Sequence, residues 1–502
     1  MKVLFSVSHF GFLRNFEPAL HRMAAEGHRL HLLADRKDNL GGTRTIENLT
    51  RANGEAISFS YAPSRKDDPW YHFAVQMRLC RDYWRYLEPR YSQATSLRAR
   101  GAEQAPAIAQ VLGRLASLAG APGRRALHAL LRRIDRALPP SPAVVALLRD
   151  MQPDLLLITP LLYFGSSQVD YVKAARQLGI PTVLGVGSWD HLTTKGLLHV
   201  VPDRIMVWNE AQRGEAAAIH AIPPEIVSVT GAQAYDHWFV MQPSTTREVF
   251  CATHGFDPAR PILLYLCSSP FITPHEVPFV RRWIEALRGS GDAAISGLNI
   301  LIRPHPQNAG QWREVNLEPY GRVSIWPRPG ANPVDTDARK EYFDAMYHSV
   351  AVVGVNTSAQ IESGIVGRPV CTIQAREFEG QQEGTLHFQH LKNVNGGLLN
   401  VAADLPEHLV QVSRILADPD GYAVRSRAFI EGFVRPHGLS TPAAEIFVRE
   451  VTKAAALRPA AAPVQGAVDA LIRTLLAPVA RTVQAAAKAR KAQQKGTPVT
   501  NA

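Results

Sequence analysis

Residues 298–373 constrain the fold of this chain more than any other stretch. Two short apolar runs rich in β-branched residues, 350–355 and 370–373, have the composition of strands buried on both faces of a sheet. A predicted helix lies between them, and any of three small polar residues at its start could cap it: Asn356, Thr357 and Ser358. Free N–H groups at a helix N-terminus attract anions. The stretch therefore predicts a strand–turn–helix unit that binds phosphate at its turn.

Strands and helices alternate through most of the remaining chain. Apolar runs separated by helical patterns recur over residues 2–34 and 154–230, and a second series runs from residue 262 to residue 373. A strand–helix–strand repeat predicts right-handed crossovers and a parallel sheet. Two such series predict an α/β fold of two doubly wound, Rossmann-like domains that face each other across a cleft.

Composition divides the chain further. At 502 residues the chain is too long for one ordinary core, and two domains with additional segments are expected. The last part turns to Ala, Pro, Gln and Lys, a composition typical of partly disordered tails. The predicted division is an N-terminal domain at 1–240 with a basic helical insert at about 70–150, a linker at 241–258, a second Rossmann-like domain at 259–420, closing helices at 421–456 and a partly disordered helical tail at 457–502.

The net charge of +11 is concentrated in the insert and the tail. Residues 71–140 hold twelve arginines against four acidic residues, and residues 457–502 hold seven lysines and arginines against one aspartate. A solvated structural face fits this pattern, and so does a surface that docks on anionic lipid head groups or an anionic acceptor. No recognition motif for nucleic acid accompanies the charge, so nucleic acid is not a predicted partner.

The cysteines and the apolar runs indicate a compartment. Four widely scattered cysteines without metal-binding spacing predict buried, reduced thiols and a reducing environment. The N-terminus enters a predicted strand at once, without a secretory signal. The longest apolar run, 155–165, contains a proline and is too short to span a bilayer. We expect a cytoplasmic protein, with peripheral attachment at the inner face of the plasma membrane as an option.

Three segments resemble the GT-B superfamily of nucleotide-sugar glycosyltransferases. They are VTGAQAYDHW at 229–238, RPHP at 303–306 and NTSAQIESGIVGRPV at 356–370. The resemblance covers 1–69 and 151–455, and it is strongest to the envelope-polysaccharide branch, similar to CDP-glycerol glycerophosphotransferases, capsule Kdo transferases and UDP-GlcNAc 2-epimerases. It implies transfer of a sugar, or of a glycerol-phosphate-like group, from a nucleotide donor to a glycan or lipid-linked acceptor in bacterial envelope polysaccharide or glycolipid synthesis, without a cofactor.

The resemblance also implies donor-binding residues. His305 matches the histidine that contacts the donor phosphates or nucleotide, and Arg303 beside it offers a planar fork for phosphate. Thr357 and Ser358 match the hydroxyl pair at the start of the phosphate-binding helix, and Glu362 matches the acid that accepts the ribose hydroxyls. The donor-side candidates are Arg303, His305, Asn356, Thr357, Ser358, Glu362 and Glu383.

The first domain is expected to bind the acceptor and to supply a base. In an inverting transfer a base removes the proton of the acceptor hydroxyl as the nucleotide departs. Three residues after predicted strands are candidates for this role: His9, Asp190 and His191. Asp190 also fits a plain turn cap, and Lys195 would meet an anionic group. No Asp-x-Asp motif ends a strand, so no metal site is predicted.

One departure from the resemblance separates the alternatives. The epimerase branch carries a Glu-rich hairpin motif after its phosphate helix, whereas this chain has QAREFEGQQEGTLHFQ at 374–389, which contains Glu383. A UDP-sugar 2-epimerase is therefore the second expectation. A non-catalytic GT-B-like scaffold that docks on membranes through the insert and the tail is the third.

Overall fold

The computed structural model describes residues 1–37, 41–65, 67–92, 94–331, 333, 336–462 and 465–496. The chain forms two compact units. Unit 1 comprises Met1–Val207, Gln212–Val229 and Glu445–Ala502, and unit 2 comprises Trp208–Ala211 and Thr230–Ala444. Unit 2 thus takes over at Thr230 rather than after residue 240, and it includes the predicted linker. The predicted closing helices are divided between the units, and the tail belongs to unit 1.

Unit 1 is organised around a parallel sheet. Its strands in the described residues are β1 (Lys2–Val7), β2 (Arg29–Ala34), β3 (Ile57–Tyr61), β4 (Leu155–Thr159), β5 (Thr182–Gly185), β6 (Arg204–Val207) and β7 (Val227–Val229). Their spatial order is β3-β2-β1-β4-β5-β6-β7, and the pairs between neighbours are parallel. The order reverses between β1 and β4. Doubly wound sheets bind ligands at the carboxyl ends of the strands beside such a reversal.

Unit 2 repeats this design. Its strands in the same described ranges are β8 (Ile262–Leu266), β9 (Asn299–Arg303), β10 (Val323–Ile325), β11 (Ala351–Gly354), β12 (Val370–Ile373) and β13 (Leu399–Ala402). The sheet is again parallel, in the order β10-β9-β8-β11-β12-β13. The order reverses between β8 and β11.

Helices connect the strands and form the insert and the tail. They are α1 (Glu17–Ala25), α2 (Gly42–Asn53), α3 (Tyr71–Arg85), α4 (Thr95–Gln104), α5 (Ala107–Leu118), α6 (Gly120–Ala137), α7 (Pro142–Met151), α8 (Val169–Gln177), α9 (His191–Thr194), α10 (Glu210–His220), α11 (Arg247–His254), α12 (Val277–Arg288), α13 (Ala293–Ser296), α14 (Thr336–Tyr347), α15 (Ala359–Ile365), α16 (Phe388–Asn393), α17 (Leu405–Ala417), α18 (Pro419–Phe433), α19 (Ala443–Ala455) and α20 (Ala467–Gly496). No helix in the described ranges has the length and hydropathy needed to cross a bilayer.

The central strands form the core of each unit. Every residue of β4 (LLLIT) and β8 (ILLYL) is buried, because helices cover both faces of each parallel sheet. The predicted doubly wound α/β fold is confirmed. The cysteines are all free and buried, as their spacing predicts.

The insert packs its first helix into unit 1. Three arginines of α3 are buried: Arg78, Arg81 and Arg85. Arg78 binds Asp135 of α6 at 2.9 Å and lies 3.6 Å from Asp170 of α8, so its charge is compensated inside the protein. For these arginines the prediction of a basic outer face is wrong, because they hold the insert to the sheet domain.

Candidate functional site

Unit 2 carries the predicted donor segments at the carboxyl edge of its sheet. Arg303 ends β9 and His305 follows it, whereas residues 356–358 follow β11. Because β8 lies between these two strands, the segments reach the same edge on either side of it. Doubly wound sheets bind ligands at this edge.

A chain of side-chain contacts connects Arg303 to Glu362. The buried guanidinium of Arg303 donates two hydrogen bonds to the carboxylate of Glu341, at 2.6 and 2.8 Å. Its central carbon lies 4.6 Å from the ring centroid of Tyr342. The Tyr342 hydroxyl donates to Oε2 of Glu362 at 2.6 Å. Neighbouring residues of α14, Glu341 and Tyr342, therefore join two predicted donor residues.

These contacts bear on the role of Arg303. Its planar fork, predicted to bind phosphate, binds a carboxylate in the structure. Burial raises the pKa of Tyr342 well above the ordinary value, so this hydroxyl donates a hydrogen bond rather than ionising. Arg303 thus fixes α14 against the edge of the sheet. Direct contact between Arg303 and a phosphate stays a prediction.

The turn after β11 is held by its own side chains. Asn356 is buried and donates to the backbone oxygen of Gln381 at 2.6 Å. Ala359 N donates to Thr357 Oγ1 at 3.4 Å, so among the three cap candidates Thr357 accepts the bond. Ser358 occupies the N-cap position of α15 without a side-chain cap bond, and it is exposed.

His305 caps the short 3-10 helix that follows RPHP. Its Nδ1 accepts a hydrogen bond from the backbone N–H of Gln307 at 3.2 Å, and its side chain is half-buried. Because Nδ1 accepts, the proton of the neutral ring is on Nε2. Nε2 is therefore the atom through which His305 would donate to a phosphate.

Glu383 is bound within its own segment. Its carboxylate accepts hydrogen bonds from Gln374, Gln389 and Lys392. Burial opposes its ionisation, but these bonds keep the pKa of Glu383 below the ordinary value. Glu383 thus acts as an anionic anchor for residues 374–392. Contact with a donor nucleotide stays a prediction.

The same edge holds a carboxyl group that the sequence did not indicate. Glu276, at the N-cap of α12, is fully buried beside the end of β8. Its Oε2 accepts from Ser268 N at 3.0 Å, and the Tyr265 hydroxyl donates to Oε1 at 3.1 Å. Gln311, from the helix after RPHP, accepts from Glu276 N. Burial raises the pKa of Glu276 to about 8.

Two of the three base candidates in unit 1 surround one aromatic ring. His9 follows β1, and its ring centroid lies 4.6 Å from that of Phe12. The ring of His191 also stacks on Phe12, with the two centroids 6.4 Å apart. Gly187 N donates to Nδ1 of His191 at 3.3 Å. Burial, with a smaller contribution from Lys195, lowers the pKa of His191 to about 4, so this ring is neutral at pH 7.

Asp190 serves the loop that contains it. Its carboxylate accepts hydrogen bonds from Ser188 and from Thr194 Oγ1, the latter at 2.8 Å. Lys195 Nζ lies 3.6 Å from the same carboxylate. Asp190 thus occupies the N-cap position of α9 without a side-chain cap bond, its carboxylate is held by two hydroxyl groups, and Lys195 has an anionic partner within the protein.

The loop is also held by the insert, through residues that sequence reasoning missed. Arg85 donates to the backbone oxygens of Thr193, Lys195 and Gly196 at 2.9, 2.6 and 3.2 Å. Asp82 accepts from the next N–H group, that of Leu197, at 2.6 Å. The α3 helix therefore fixes the backbone that carries Asp190, His191 and Lys195.

Two further observations concern a possible metal site and a separate cavity. In the described residues no group of three His, Cys, Asp or Glu side chains is arranged to hold a metal ion. A cavity of about 880 Å³ in unit 2 is lined by residues at the opposite, amino end of the strands, among them Ile262, Val350 and Arg368. This cavity is separate from the edge that carries the predicted donor segments.

The chain matches no protein-family profile and no curated protein. Solved structures do match. A glycosyltransferase from Rickettsia africae is 10% identical, with a TM-score of 0.51 over 90% of this chain and 98% of that one. A UDP-GlcNAc 2-epimerase from Methanocaldococcus jannaschii is 11% identical, with a TM-score of 0.50 over 90% and 100%. HepE from Anabaena, solved in complex with UDP, is 10% identical, with a TM-score of 0.50 over 90% and 100%.

Identities this low establish the fold and nothing finer. This chain has two parallel sheets, and the strand order of each reverses once. The chain has the GT-B fold.

Proposed function

We propose that this protein is a glycosyltransferase that uses a nucleotide-activated sugar, or a glycerol-phosphate-like donor. The observation that carries the proposal is the position of two segments, 303–305 and 356–362, at the carboxyl edge of the unit 2 sheet on either side of β8. That edge is where doubly wound sheets bind nucleotides. The structural match to HepE in complex with UDP is in keeping with a nucleotide donor.

On the donor side, each segment has a proposed task. His305 would donate from Nε2 to the departing phosphate, which gains negative charge as its bond to the sugar breaks. Glu362 would accept the ribose hydroxyls, with Tyr342 holding one carboxylate oxygen in place. Thr357 and Ser358 would contact the phosphates. Arg303 and Glu341 would position α14, and thereby Tyr342.

On the acceptor side, His9 is the best candidate for the base. His191 has a pKa lowered to about 4 by burial and is a weak base at pH 7. Asp190 is bound by two hydroxyl groups and lies near Lys195. In the proposed step His9 takes the proton of the acceptor hydroxyl. The acceptor oxygen bonds to the anomeric carbon, and the nucleotide leaves with the electrons of the broken bond.

The acceptor proposed is a glycan or lipid-linked sugar of the bacterial envelope, and no cofactor or metal ion is required. Nucleotide release that depends on an added acceptor would support transfer. Conversion of a UDP-sugar without an acceptor would support the UDP-sugar 2-epimerase instead. Full activity is expected in the presence of EDTA, and a strict Mg²⁺ requirement would contradict the metal-independent proposal.

The first experiment is a thermal-shift panel of UDP, GDP, dTDP, CDP and CMP. A ligand that binds only the folded protein raises its melting temperature by mass action. We expect one nucleotide to stabilise the protein selectively and Glu362→Gln to lose most of this shift. Glu285→Gln is a matched control, since Glu285 also accepts from a tyrosine, Tyr320, at 2.7 Å. Absence of a shift with every nucleotide would favour the non-catalytic scaffold.

A further inference from the structure

The α5 helix of the insert turns its large aliphatic side chains toward solvent. Five of them recur at helical spacing. Their exposed fractions are 62% for Ile108, 56% for Val111, 36% for Leu112, 57% for Leu115 and 85% for Leu118. In a globular protein the apolar stripe of a helix normally faces the core. This set, called the α5 ridge, reverses that rule.

The opposite face of α5 explains how the reversed helix stays attached. Ala109 is fully buried, and its backbone oxygen accepts a hydrogen bond from Trp84 Nε1 of α3 at 2.7 Å. A Cβ atom added at Gly113 would lie 2.9 Å from Trp84 and Leu87. Small residues thus seat α5 closely on α3, so the outward position of the ridge is fixed by packing.

The tail adds a second exposed stripe to the same group of helices. α20 packs Leu476, Ala480 and Val483 against α3 and α6. Four further aliphatic residues of α20 are 48–66% exposed: Val468, Leu471, Leu475 and Val479. Two helices of one bundle therefore each present an aliphatic stripe to solvent.

The exposed charges of the insert are mostly positive. Six arginines of residues 71–140 are exposed: Arg90, Arg98, Arg114, Arg125, Arg132 and Arg136. Among the described residues of this range the exposed acidic side chain is Glu103, because Asp82 and Asp135 are buried and Glu88 is half-buried beside Arg90. Aliphatic stripes on helices of a bundle that also exposes these arginines match the chemistry of an anionic bilayer, which offers acyl chains below a layer of phosphates.

We propose that the α5 ridge inserts into the head-group region of an anionic lipid bilayer, with the exposed arginines on the lipid phosphates and the α20 stripe as a second contact. The docking surface is thus a defined face of the insert, distinct from the buried arginines of α3. This inference does not depend on the transferase proposal, because no residue of the surface belongs to the donor or acceptor site.

The test is co-sedimentation of the full-length protein with vesicles. One set contains phosphatidylcholine alone, and the other contains equal parts of phosphatidylcholine and phosphatidylglycerol. We expect binding to the anionic vesicles, weakened roughly tenfold or more in Leu115→Gln/Leu118→Gln because two aliphatic side chains no longer leave water. Arg114→Gln/Arg125→Gln should reduce the preference for anionic over neutral vesicles, and added salt should do the same.

Matched controls separate this effect from general changes in surface hydrophobicity. Val240 and Val424 of unit 2 are 75 and 72% exposed, so Val240→Gln/Val424→Gln should leave vesicle binding unchanged. The ridge variant should keep its melting temperature and any nucleotide-induced shift. The proposal fails if the wild-type protein ignores anionic vesicles or if the ridge variant binds them equally well. It also fails if the ridge instead forms a dimer interface. In that case the wild-type protein would have the mass of a dimer in solution, and the ridge variant would have the mass of a monomer.

Discussion

Tyr342 is held between two charged groups, with its ring beside the Arg303 guanidinium and its hydroxyl on Glu362. We expect Tyr342→Phe to lower the free energy of unfolding by about 1 kcal/mol, because one partly buried hydrogen bond to a carboxylate is lost while the ring remains. Chemical denaturation measures this change. Tyr320→Phe removes a similar bond on the exposed surface and should cost less than about 0.5 kcal/mol. Equal losses in both variants would show that the Tyr342 hydroxyl has no special role.

Glu276 makes stability depend on pH. Its pKa is raised by burial to about 8 in the folded protein, against 4.5 for the exposed group. The folded state therefore holds a proton that the unfolded state releases, and the associated stability is full below pH 4.5 and is lost as pH rises through about 8. Glu276→Gln keeps the hydrogen-bonding shape without the titration. We expect this variant to lose less stability than the wild-type protein between pH 6 and 9, and parallel pH profiles would contradict the prediction.

At the residue scale, local sequence reveals only part of the site. Arg303 and Glu362 stand in recognisable motifs next to strand ends, so their place at the edge of the sheet follows from the βαβ pattern. Glu341 and Tyr342 lie inside an ordinary helix, and their contacts with these residues span 38 and 20 positions. Glu276 is likewise identified by burial, which a single sequence does not display.

At the scale of elements, α3 acts as a clamp on the loop that carries the base candidates. Arg85→Gln should lower the free energy of unfolding by on the order of 3 kcal/mol, because three backbone oxygens lose a buried cationic donor. We further expect trypsin to cut after Lys195 sooner in this variant. Arg90→Gln is the control, since Arg90 is exposed and, besides its ion pair with Glu88, donates to one backbone oxygen. Unchanged cleavage at Lys195 would show that the loop is held by other contacts.

Sequence patterns predict the central elements better than those at the edges. The central strands of both sheets, such as β4 and β8, are buried on both faces. Their sequences are continuous apolar runs, and their predicted positions agree with the structure. Two edge strands, β3 (ISFSY) and β13 (LNVA), have no counterpart in the sequence prediction. An edge strand pairs on one side only and carries polar residues, so its periodic signal is weak. The prediction of an exposed basic face is wrong for the buried arginines of α3 for a related reason: composition shows the charge of a segment but not its buried partners.

At the scale of the whole molecule, buried neutral histidines make stability depend on pH in the direction opposite to Glu276. His220 accepts from Leu198 N through Nδ1 and donates to the backbone oxygen of Leu192 through Nε2, so both ring nitrogens are used by the neutral form. Burial, more than Arg85, lowers the pKa of His220 to about 3. Burial lowers the pKa of His408 to about 4, and its Nε2 accepts from Trp283 Nε1 at 3.0 Å. Protonation of either ring would break the bond that it accepts.

These histidines determine how stability changes with pH on the acid side of the stability curve, called the acid limb; the fall at high pH caused by Glu276 is the alkaline limb. Below pH 6.5 these histidines bind protons in the unfolded chain but stay neutral in the folded protein. The free energy of unfolding therefore falls as pH drops from 6.5 toward 4. Each pKa unit of displacement corresponds to about 1.4 kcal/mol. Because Glu276 acts in the opposite direction, we expect a stability maximum inside the window from pH 4.5 to 8.

Two variants assign the limbs of that curve. His408→Gln removes a depressed histidine from unit 2 and should flatten the fall of melting temperature between pH 6.5 and 4 while leaving the alkaline limb in place. Glu276→Gln, in the same unit, should flatten the alkaline limb and, because Glu276 titrates from pH 4.5 upward, should make the acid limb steeper above that pH. Because the two groups titrate in opposite directions, a general loss of stability in either variant would shift both limbs together and is thereby distinguished from a lost titration. A wild-type melting temperature that stays constant from pH 4 to pH 9 would contradict both assignments.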